Sequence, residues 1–135
     1  MADGQTRIQS RAASILVAEL EPISRISLSE LLRDEGYRVV EAADSGTAVS
    51  QLSREQDFNF ILADLEMPSW TSIIKYARLN IPDSFILGMV RYGALPNALE
   101  AQQLGAHAHL IKPLSFNEVN QWIQRCLTGR SEIKR

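Results

Sequence analysis

Five short apolar segments recur along the chain, and a stretch with helical spacing separates each one from the next. Each has the length of a β-strand and is rich in β-branched or aromatic residues; they occupy residues 15–18, 37–40, 58–63, 85–90 and 107–111. Several are apolar on consecutive positions, which is typical of strands buried on both faces of a parallel sheet. Because β-α-β crossovers are right-handed, helices then cover both faces. The alternation predicts an α/β fold with a doubly wound, five-stranded parallel sheet.

Amphipathic helices are expected between these segments. The predicted buried stripe of the first helix consists of Ile23, Ile26, Leu31 and Leu32. The stripe of the fourth helix consists of Leu95, Leu99 and Leu104, and that of the last helix consists of Val119, Ile123, Cys126 and Leu127. Ser45 is predicted as an N-terminal cap, and Ser115 as the start of a capping box with Glu118. Gly36 and Gly105 are predicted to close two of the helices.

Length and composition indicate one domain and narrow the classes of partner. The 135 residues divide into a flexible N-terminal tail (1–14), a domain (15–128) and a C-terminal tail (129–135). With 14 basic and 16 acidic residues, the net charge of −2 argues against nucleic acid or an anionic membrane as partner. A single cysteine allows no internal disulfide, and no apolar run approaches the roughly 20 residues of a membrane span. These features predict a cytoplasmic protein.

Charged side chains follow several of the predicted strands. Glu19 follows the first strand and Asp64 ends the third, whereas Val90 and Arg91 end the fourth and Lys112 ends the fifth. In open α/β sheets, ligands bind in the crevice at the carboxyl ends of the strands. The sequence therefore predicts that two carboxylates and one lysine share a single crevice.

Three segments around that crevice resemble the receiver domain of two-component response regulators. ILVAELEP resembles its opening strand, ILADLEMP its phosphoacceptor strand and GAHAHLIKP its closing strand. The similarity covers residues 15 to about 127. It implies a flavodoxin-like (βα)5 fold with strand order 2-1-3-4-5, Asp64 as the phosphoacceptor and Lys112 as the lysine of the phosphate site.

The chemistry of that family explains its motif. An aspartate attacks a phosphoryl group and forms an aspartyl-phosphate, and Mg²⁺ bridges the two mutually repelling anions. In this chain, the resemblance places Leu20 at a metal-binding carboxylate, Val90 at the phosphate-binding hydroxyl and Arg91 at a small residue. It places His109 at the aromatic switch position. The sequence therefore lacks a metal ligand and a phosphate ligand.

What survives of the phosphate site is Glu19, Asp64, Lys112 and the backbone carbonyl of Glu66. Glu19, Asp64 and Glu66 are expected to form a weak Mg²⁺ site at most, so we expect no cofactor, or weakly bound Mg²⁺. A direct carboxylate ligand contributes on the order of a few kcal/mol, and a switch from mostly off to mostly on needs about 5.5 kcal/mol. The interpretation favoured is a degenerate receiver that is not an enzyme and that binds a protein partner.

The expected partner surface is formed by the fourth helix, the fifth strand and the fifth helix, the usual output face of receiver domains. His109, Glu118 and Trp122 are predicted to lie on it, with Trp122 exposed as the anchor of a contact with another protein or a second copy of the chain. The alternative is a competent receiver that a histidine kinase phosphorylates on Asp64. A nucleotide- or flavin-binding protein is a third class, but the turn at 19–24 has no glycine to admit a phosphate.

Overall fold

The computed structural model describes residues 13–134 of the chain, and the side chains of residues 13–128. Five parallel strands form one sheet: β1 (Ser14–Ala18), β2 (Arg38–Ala42), β3 (Phe60–Asp64), β4 (Phe85–Arg91) and β5 (Ala108–Lys112). Their spatial order is β2-β1-β3-β4-β5. The predicted doubly wound α/β fold is confirmed, as is its strand order.

Five helices follow the five strands: α1 (Pro22–Asp34), α2 (Ser45–Arg54), α3 (Trp70–Asn80), α4 (Leu95–Leu104) and α5 (Phe116–Lys134). A 3-10 turn, Tyr92–Ala94, leads from β4 into α4. Because side chains alternate along a strand, β3 feeds two apolar clusters. Ile61 packs in the cluster under α2, α3 and α4, and Leu62 in the one under α1 and α5. All five residues of β3 are buried, which explains its continuous apolar run.

The predicted buried stripe of the first helix is wrong at three of its four positions, since only Leu32 is buried. Ile23, Ile26 and Leu31 are 76%, 46% and 45% exposed, whereas Leu28 and Leu32 pack against the sheet. Residues advance by about 100° around a helix axis, so Ile26 lies about 200° away from Leu28, on the opposite side. The buried stripe consists of Leu28 and Leu32, which are four residues apart, and the two isoleucines face solvent.

Two further helix assignments need correction. In α4, Leu99 is 65% exposed, and the buried positions are Ala98 and Ala101, whose small side chains leave room for larger residues of the sheet. The N-terminal cap of α2 is Asp44, whose carboxylate accepts the Thr47 N–H at 2.7 Å. Ser45 instead donates its hydroxyl to the Pro68 carbonyl at 2.7 Å, because it is the first helical residue and is buried.

The remaining caps agree with the sequence. Gly36 and Gly105 both have positive φ, which only glycine adopts readily. The Glu118 N–H points to Ser115 Oγ at 3.4 Å, one arm of the predicted capping box. The Lys112–Pro113 peptide bond is cis.

The domain boundaries differ slightly from the expected ones. Ser14 belongs to β1 rather than to a tail, because its N–H donates to Asn59 Oδ1 at 2.9 Å and its backbone pairs with β2. Helix α5 continues through the segment 129–134 that was expected to be a tail. The rest of the expected N-terminal tail, residues 1–12, lies outside the described residues, as does residue 135. Between residues 13 and 134, no helix is long and apolar enough to cross a membrane.

Candidate functional site

The crevice at the carboxyl ends of the strands brings together Glu19, Asp64 and Lys112. The ammonium of Lys112 lies 2.9 Å from Glu19 Oε1 and 3.4 Å from Asp64 Oδ1. Glu19 is 1% exposed and Asp64 is 2% exposed, whereas Lys112 retains partial access to solvent. Because two strands, β3 and β4, lie between β5 and β1, a long side chain such as lysine is needed to reach Glu19 across the crevice. Two carboxylates against one ammonium leave an excess of one negative charge when all three are ionised.

Backbone N–H groups also donate hydrogen bonds to these two carboxylates. Asp64 Oδ1 also accepts the Glu66 N–H at 3.0 Å, and Asp64 Oδ2 accepts the Leu20 N–H at 3.2 Å. Glu19 Oε2 accepts the Glu21 N–H at 2.9 Å. The chain reversals that follow β1 and β3 turn these N–H groups inward. All four carboxylate oxygens of the pair therefore already accept a hydrogen bond or an ion pair.

Burial raises the pKa of Glu19, and the neighbouring negative charge of Asp64 acts in the same direction. The Glu21 N–H and the Lys112 ammonium act in the opposite direction, but burial is the largest cause. Keeping Glu19 ionised in this buried position therefore costs free energy. The ion pair with Lys112 reduces that cost without removing it.

The residues present do not fit a dedicated Mg²⁺ site. Leu20 stands next to the crevice with a side chain that offers no oxygen, and the residue is 49% exposed. Magnesium requires octahedral oxygen ligands. The carboxylate oxygens of Glu19 and Asp64 already accept hydrogen bonds or an ion pair within the chain. Among the residues that the structure describes, no three His, Cys, Asp or Glu side chains are grouped so that they could hold a metal ion.

Glu66, whose backbone carbonyl was the third expected metal ligand, has its side chain paired with Arg91. The Arg91 guanidinium donates to Glu66 Oε1 from Nε at 2.7 Å and from Nη2 at 2.6 Å. The Arg91 backbone N–H donates to Oε2 at 2.8 Å. Hydrogen bonding to Arg91 lowers the pKa of Glu66. Val90 is fully buried in the apolar cluster, so the fourth strand ends without a hydroxyl in the crevice.

Sequence reasoning noted Glu66 and Arg91 separately but missed their pairing. The signal was available in the strand register. Asp64 lies beside Met89 in the sheet, so the residues two positions further along each chain are expected side by side. Two other contacts at the crevice carry no comparable signal in the sequence: Asn97 Nδ2 donates to the Leu65 carbonyl at 2.7 Å, and Arg25 Nη1 donates to the Glu19 carbonyl at 2.9 Å.

The expected partner residues divide between two places. His109 and Glu118 are exposed, as the prediction of a partner surface requires. Trp122 is half-buried: its ring centroid lies 5.5 Å from that of Phe85, and the Arg125 guanidinium lies 4.8 Å over it. The prediction of an exposed Trp122 is wrong, because its ring packs on the apolar cluster beneath α5.

The polar residues around Trp122 also have partners. The Tyr37 hydroxyl donates to Asn120 Oδ1 at 2.9 Å and accepts from Gln124 Nε2 at 2.7 Å. These side chains fasten α5 to the segment before β2. They are therefore part of the tertiary structure rather than the rim of an exposed anchor.

Comparison with known proteins gives a consistent result. Residues 15–124 match the response regulator receiver domain family. Sporulation initiation phosphotransferase F of Bacillus subtilis is 29% identical over 119 residues, which span 87% of this chain and 95% of that protein. The transcriptional regulatory protein ZraR of Escherichia coli is 34% identical over 108 residues, which span 78% of this chain but only 24% of that regulator.

Solved structures share the fold. A receiver domain protein from Methanospirillum hungatei superposes with a TM-score of 0.82 at 24% identity and covers 90% of this chain and 98% of its own. The receiver domain of a sensor histidine kinase from Pseudomonas aeruginosa superposes with a TM-score of 0.77 at 26% identity. That match covers 87% of this chain and 98% of the other, and the structure holds a magnesium ion coordinated in the active site cleft.

Proposed function

Because the chain belongs to the response regulator receiver domain family of two-component signalling, we propose that it binds a protein partner independently of phosphorylation on Asp64. The observation that carries this proposal is at Leu20. At the position where the family motif has a metal-binding carboxylate, this chain presents a solvent-exposed leucine and only a backbone N–H towards Asp64. The proposed role is not enzymatic and needs no cofactor.

The electrostatics of the crevice support this view. A carboxylate that attacks a phosphoryl group needs a cation to offset the repulsion between the two anions. The cation in reach is Lys112, which two carboxylates already share. Val90 supplies no hydroxyl for a phosphoryl oxygen. A phosphorylated state would thus lack the differential stabilisation, about 5.5 kcal/mol, that reverses a two-state population.

The proposed partner surface consists of side chains that are exposed without a phosphoryl group on Asp64. We call it the α4–β5 face and define it by Tyr92, Leu99, His109 and Ile111; Tyr92, Leu99 and Ile111 are 75%, 65% and 41% exposed, and His109 is exposed too. Scattered apolar residues are ordinary on a surface, but large exposed side chains in the turn before α4, on α4 and on the edge strand β5 together resemble an interaction patch. We infer that this face binds a second copy of the chain or another protein.

Two contacts near the crevice restrain the part of the α4–β5 face that contains Tyr92. The Glu66–Arg91 ion pair and the hydrogen bond from Asn97 to the Leu65 carbonyl join the loop after β3 to the segment that runs from the end of β4 to the first turn of α4. Tyr92 lies between Arg91 and Asn97 in that segment. The face is therefore braced from the crevice by residues of the chain itself, with no phosphoryl group required.

The second candidate is a competent receiver that a histidine kinase phosphorylates on Asp64. The observation that favours it is the position of Lys112, 3.4 Å from Asp64 Oδ1, where it could neutralise a phosphoryl oxygen. The Pseudomonas aeruginosa receiver domain shows that a relative coordinates magnesium in its cleft. In this alternative an Asp64 carboxylate oxygen bonds to phosphorus, and the histidine nitrogen departs with the electron pair.

The amide NMR spectrum of the full chain separates the two candidates. Acetyl phosphate with MgCl₂ is added to the wild type and to Asp64→Asn, the control that cannot accept a phosphoryl group. We expect the signals of residues 92–99 and of β5 to stay in place in both proteins. Shifts that appear in the wild type and are absent from Asp64→Asn would support a phosphorylation switch and contradict the proposal.

A further inference from the structure

An open cleft with a volume of about 900 Å³ lies at the opposite end of the sheet from Asp64. It is bounded by the chain before β3, by the chain before β4 and by one side of α5. Neither Glu19, Asp64 nor Lys112 lines it. Its location at the amino ends of the strands separates it from the crevice described above, and its use does not depend on the proposed function.

The floor of the cleft is aromatic. The Phe85 ring stacks on Phe60 at a centroid distance of 5.1 Å and on His107 at 4.8 Å, and it lies 5.5 Å from the tilted ring of Trp122. The faces of aromatic rings carry partial negative charge, and tryptophan attracts cations best. The half-buried Trp122 ring at the edge of this stack is therefore a platform for a cation.

The Arg125 guanidinium already lies over the Trp122 ring. The Arg125 guanidinium carbon lies 4.8 Å from the Trp122 ring centroid, well within the roughly 6 Å of a cation–π contact. Arg125 is exposed and lines the same cleft. The chain thus shows with its own side chain which chemical group the ring accepts, and an exposed arginine can be displaced at small cost.

Two carboxylates also line the cleft. Asp57 lies in the chain before β3 and Asp83 in the chain before β4, and both line the cavity. Among the side chains that the structure describes, neither forms an ion pair with a cation. Asn80 donates its amide to the Tyr76 carbonyl at 3.0 Å, which leaves the amide oxygen as a further acceptor. The charged residues that line the cleft are two carboxylates and one guanidinium. Arg38, whose charge interacts with Asp57 from outside the lining, is already ion-paired with Glu55, so the lining keeps an excess of negative charge.

We propose that this cleft binds the arginine side chain of a protein partner, with its guanidinium on the Trp122 ring in exchange for Arg125. Asp57 and Asp83 then supply acceptors for its N–H groups. Arginine fits better than lysine, because a planar guanidinium stacks on an indole and donates to carboxylates at the same time. The chain thereby has an interaction site on the end of the domain distant from Asp64.

NMR titration of the full-length chain with N-acetyl-arginine amide tests the proposal. N-acetyl-citrulline amide serves as the matched probe, since it has nearly the same shape without the charge. The indole N–H of Trp122 reports on the cleft, and that of Trp70, which is 8% exposed in the core, is the internal control. We expect a saturable shift of the Trp122 signal with the arginine probe, a much smaller one with the citrulline probe, and none at Trp70.

Charge-only variants test the same site. Asp57→Asn with Asp83→Asn is expected to weaken binding of the arginine probe by about two- to fivefold in total, because each of the two exposed charge contacts contributes little. Arg125→Gln, which vacates the ring, is expected to strengthen it. Equal shifts with the arginine and citrulline probes would overturn the proposal. An unchanged affinity in the double variant, or a weaker one in Arg125→Gln, would overturn it as well.

Discussion

Arg91 donates to both carboxylate oxygens of Glu66, from its guanidinium to Oε1 at 2.6 and 2.7 Å and from its backbone N–H to Oε2 at 2.8 Å. This pair lies just beyond the ends of β3 and β4, two residues past the neighbouring positions Asp64 and Met89. It engages the carboxylate of Glu66, whose backbone carbonyl was expected to ligate a metal. It also joins the ends of two neighbouring strands, so it restrains the loops that follow them.

Replacing Arg91 by alanine should loosen these loops. The Glu66 side chain loses its charged donors, whereas the backbone N–H of residue 91 and the hydrogen bond from Asn97 to the Leu65 carbonyl remain. We expect faster amide hydrogen exchange in residues 65–67 and 92–95, because local opening is limited by few contacts there. Arg54→Ala, at an exposed arginine in the last turn of α2, is the control. Equal exchange in both variants would show that the pair does not restrain the loops.

Gly88→Ala should destabilise the domain through overpacking. A Cβ at this position would lie 2.6 Å from Leu65 Cδ1 and 3.0 Å from Leu65 Cγ. Leu65 is fully buried, so it cannot move aside without displacing its neighbours. We expect a loss of about 1–3 kcal/mol in the free energy of unfolding, measured by urea denaturation. Gly93→Ala, where an added Cβ meets nothing within 4 Å, should be close to neutral. Similar losses in the two variants would contradict the packing argument.

The titration of Glu19 should appear in the pH dependence of stability. Burial raises its pKa in the folded state above the ordinary 4.5, so between these two values the folded chain binds more protons than the unfolded chain. Stability from this group therefore falls as the pH rises through that window. Glu19→Gln cannot titrate and should lack this fall. Urea denaturation of both proteins at a series of pH values measures it, and parallel profiles would contradict the assignment.

Trp122 should behave as a packing residue. Its ring contacts Phe85 and the apolar cluster beneath α5, so Trp122→Ala should cost about 2 kcal/mol, less than the 3–5 kcal/mol of a fully buried aromatic. Leu99→Ala, on the exposed side of α4, should change stability by less than about 0.5 kcal/mol. Thermal and urea unfolding compare the two. An unaffected stability in Trp122→Ala would restore the view of Trp122 as an exposed anchor.

The sequence predicted the sheet well because each strand carries its own signal. A run such as Phe60 to Ala63 is apolar on both faces, and such a run has few alternatives to a central parallel strand. That the crevice residues lie together then follows from the topology of the sheet. Glu19, Asp64 and Lys112 end three strands of one parallel sheet, so they meet at one edge.

The sequence predicted helix faces and side-chain partners less well. Ile23, Ile26 and Leu31 have apolar side chains, but apolarity does not reveal which side of α1 faces the sheet when several spacings compete. Trp122 is amphipathic, and its burial depends on Phe85, which lies far away along the chain. Such contacts arise from tertiary packing, which the local pattern of residues does not specify.

Asp64 is expected to hold no phosphoryl group under conditions in which a competent receiver does. Intact-mass measurement after incubation of the full chain with acetyl phosphate and MgCl₂ tests it most directly, with Asp64→Asn as the control. Leu20→Asp restores an acidic residue at the edge of the crevice and shows whether its absence is the limiting defect. We predict no added mass in the wild type. Added mass of one phosphoryl group in the wild type, absent from Asp64→Asn, would contradict the account.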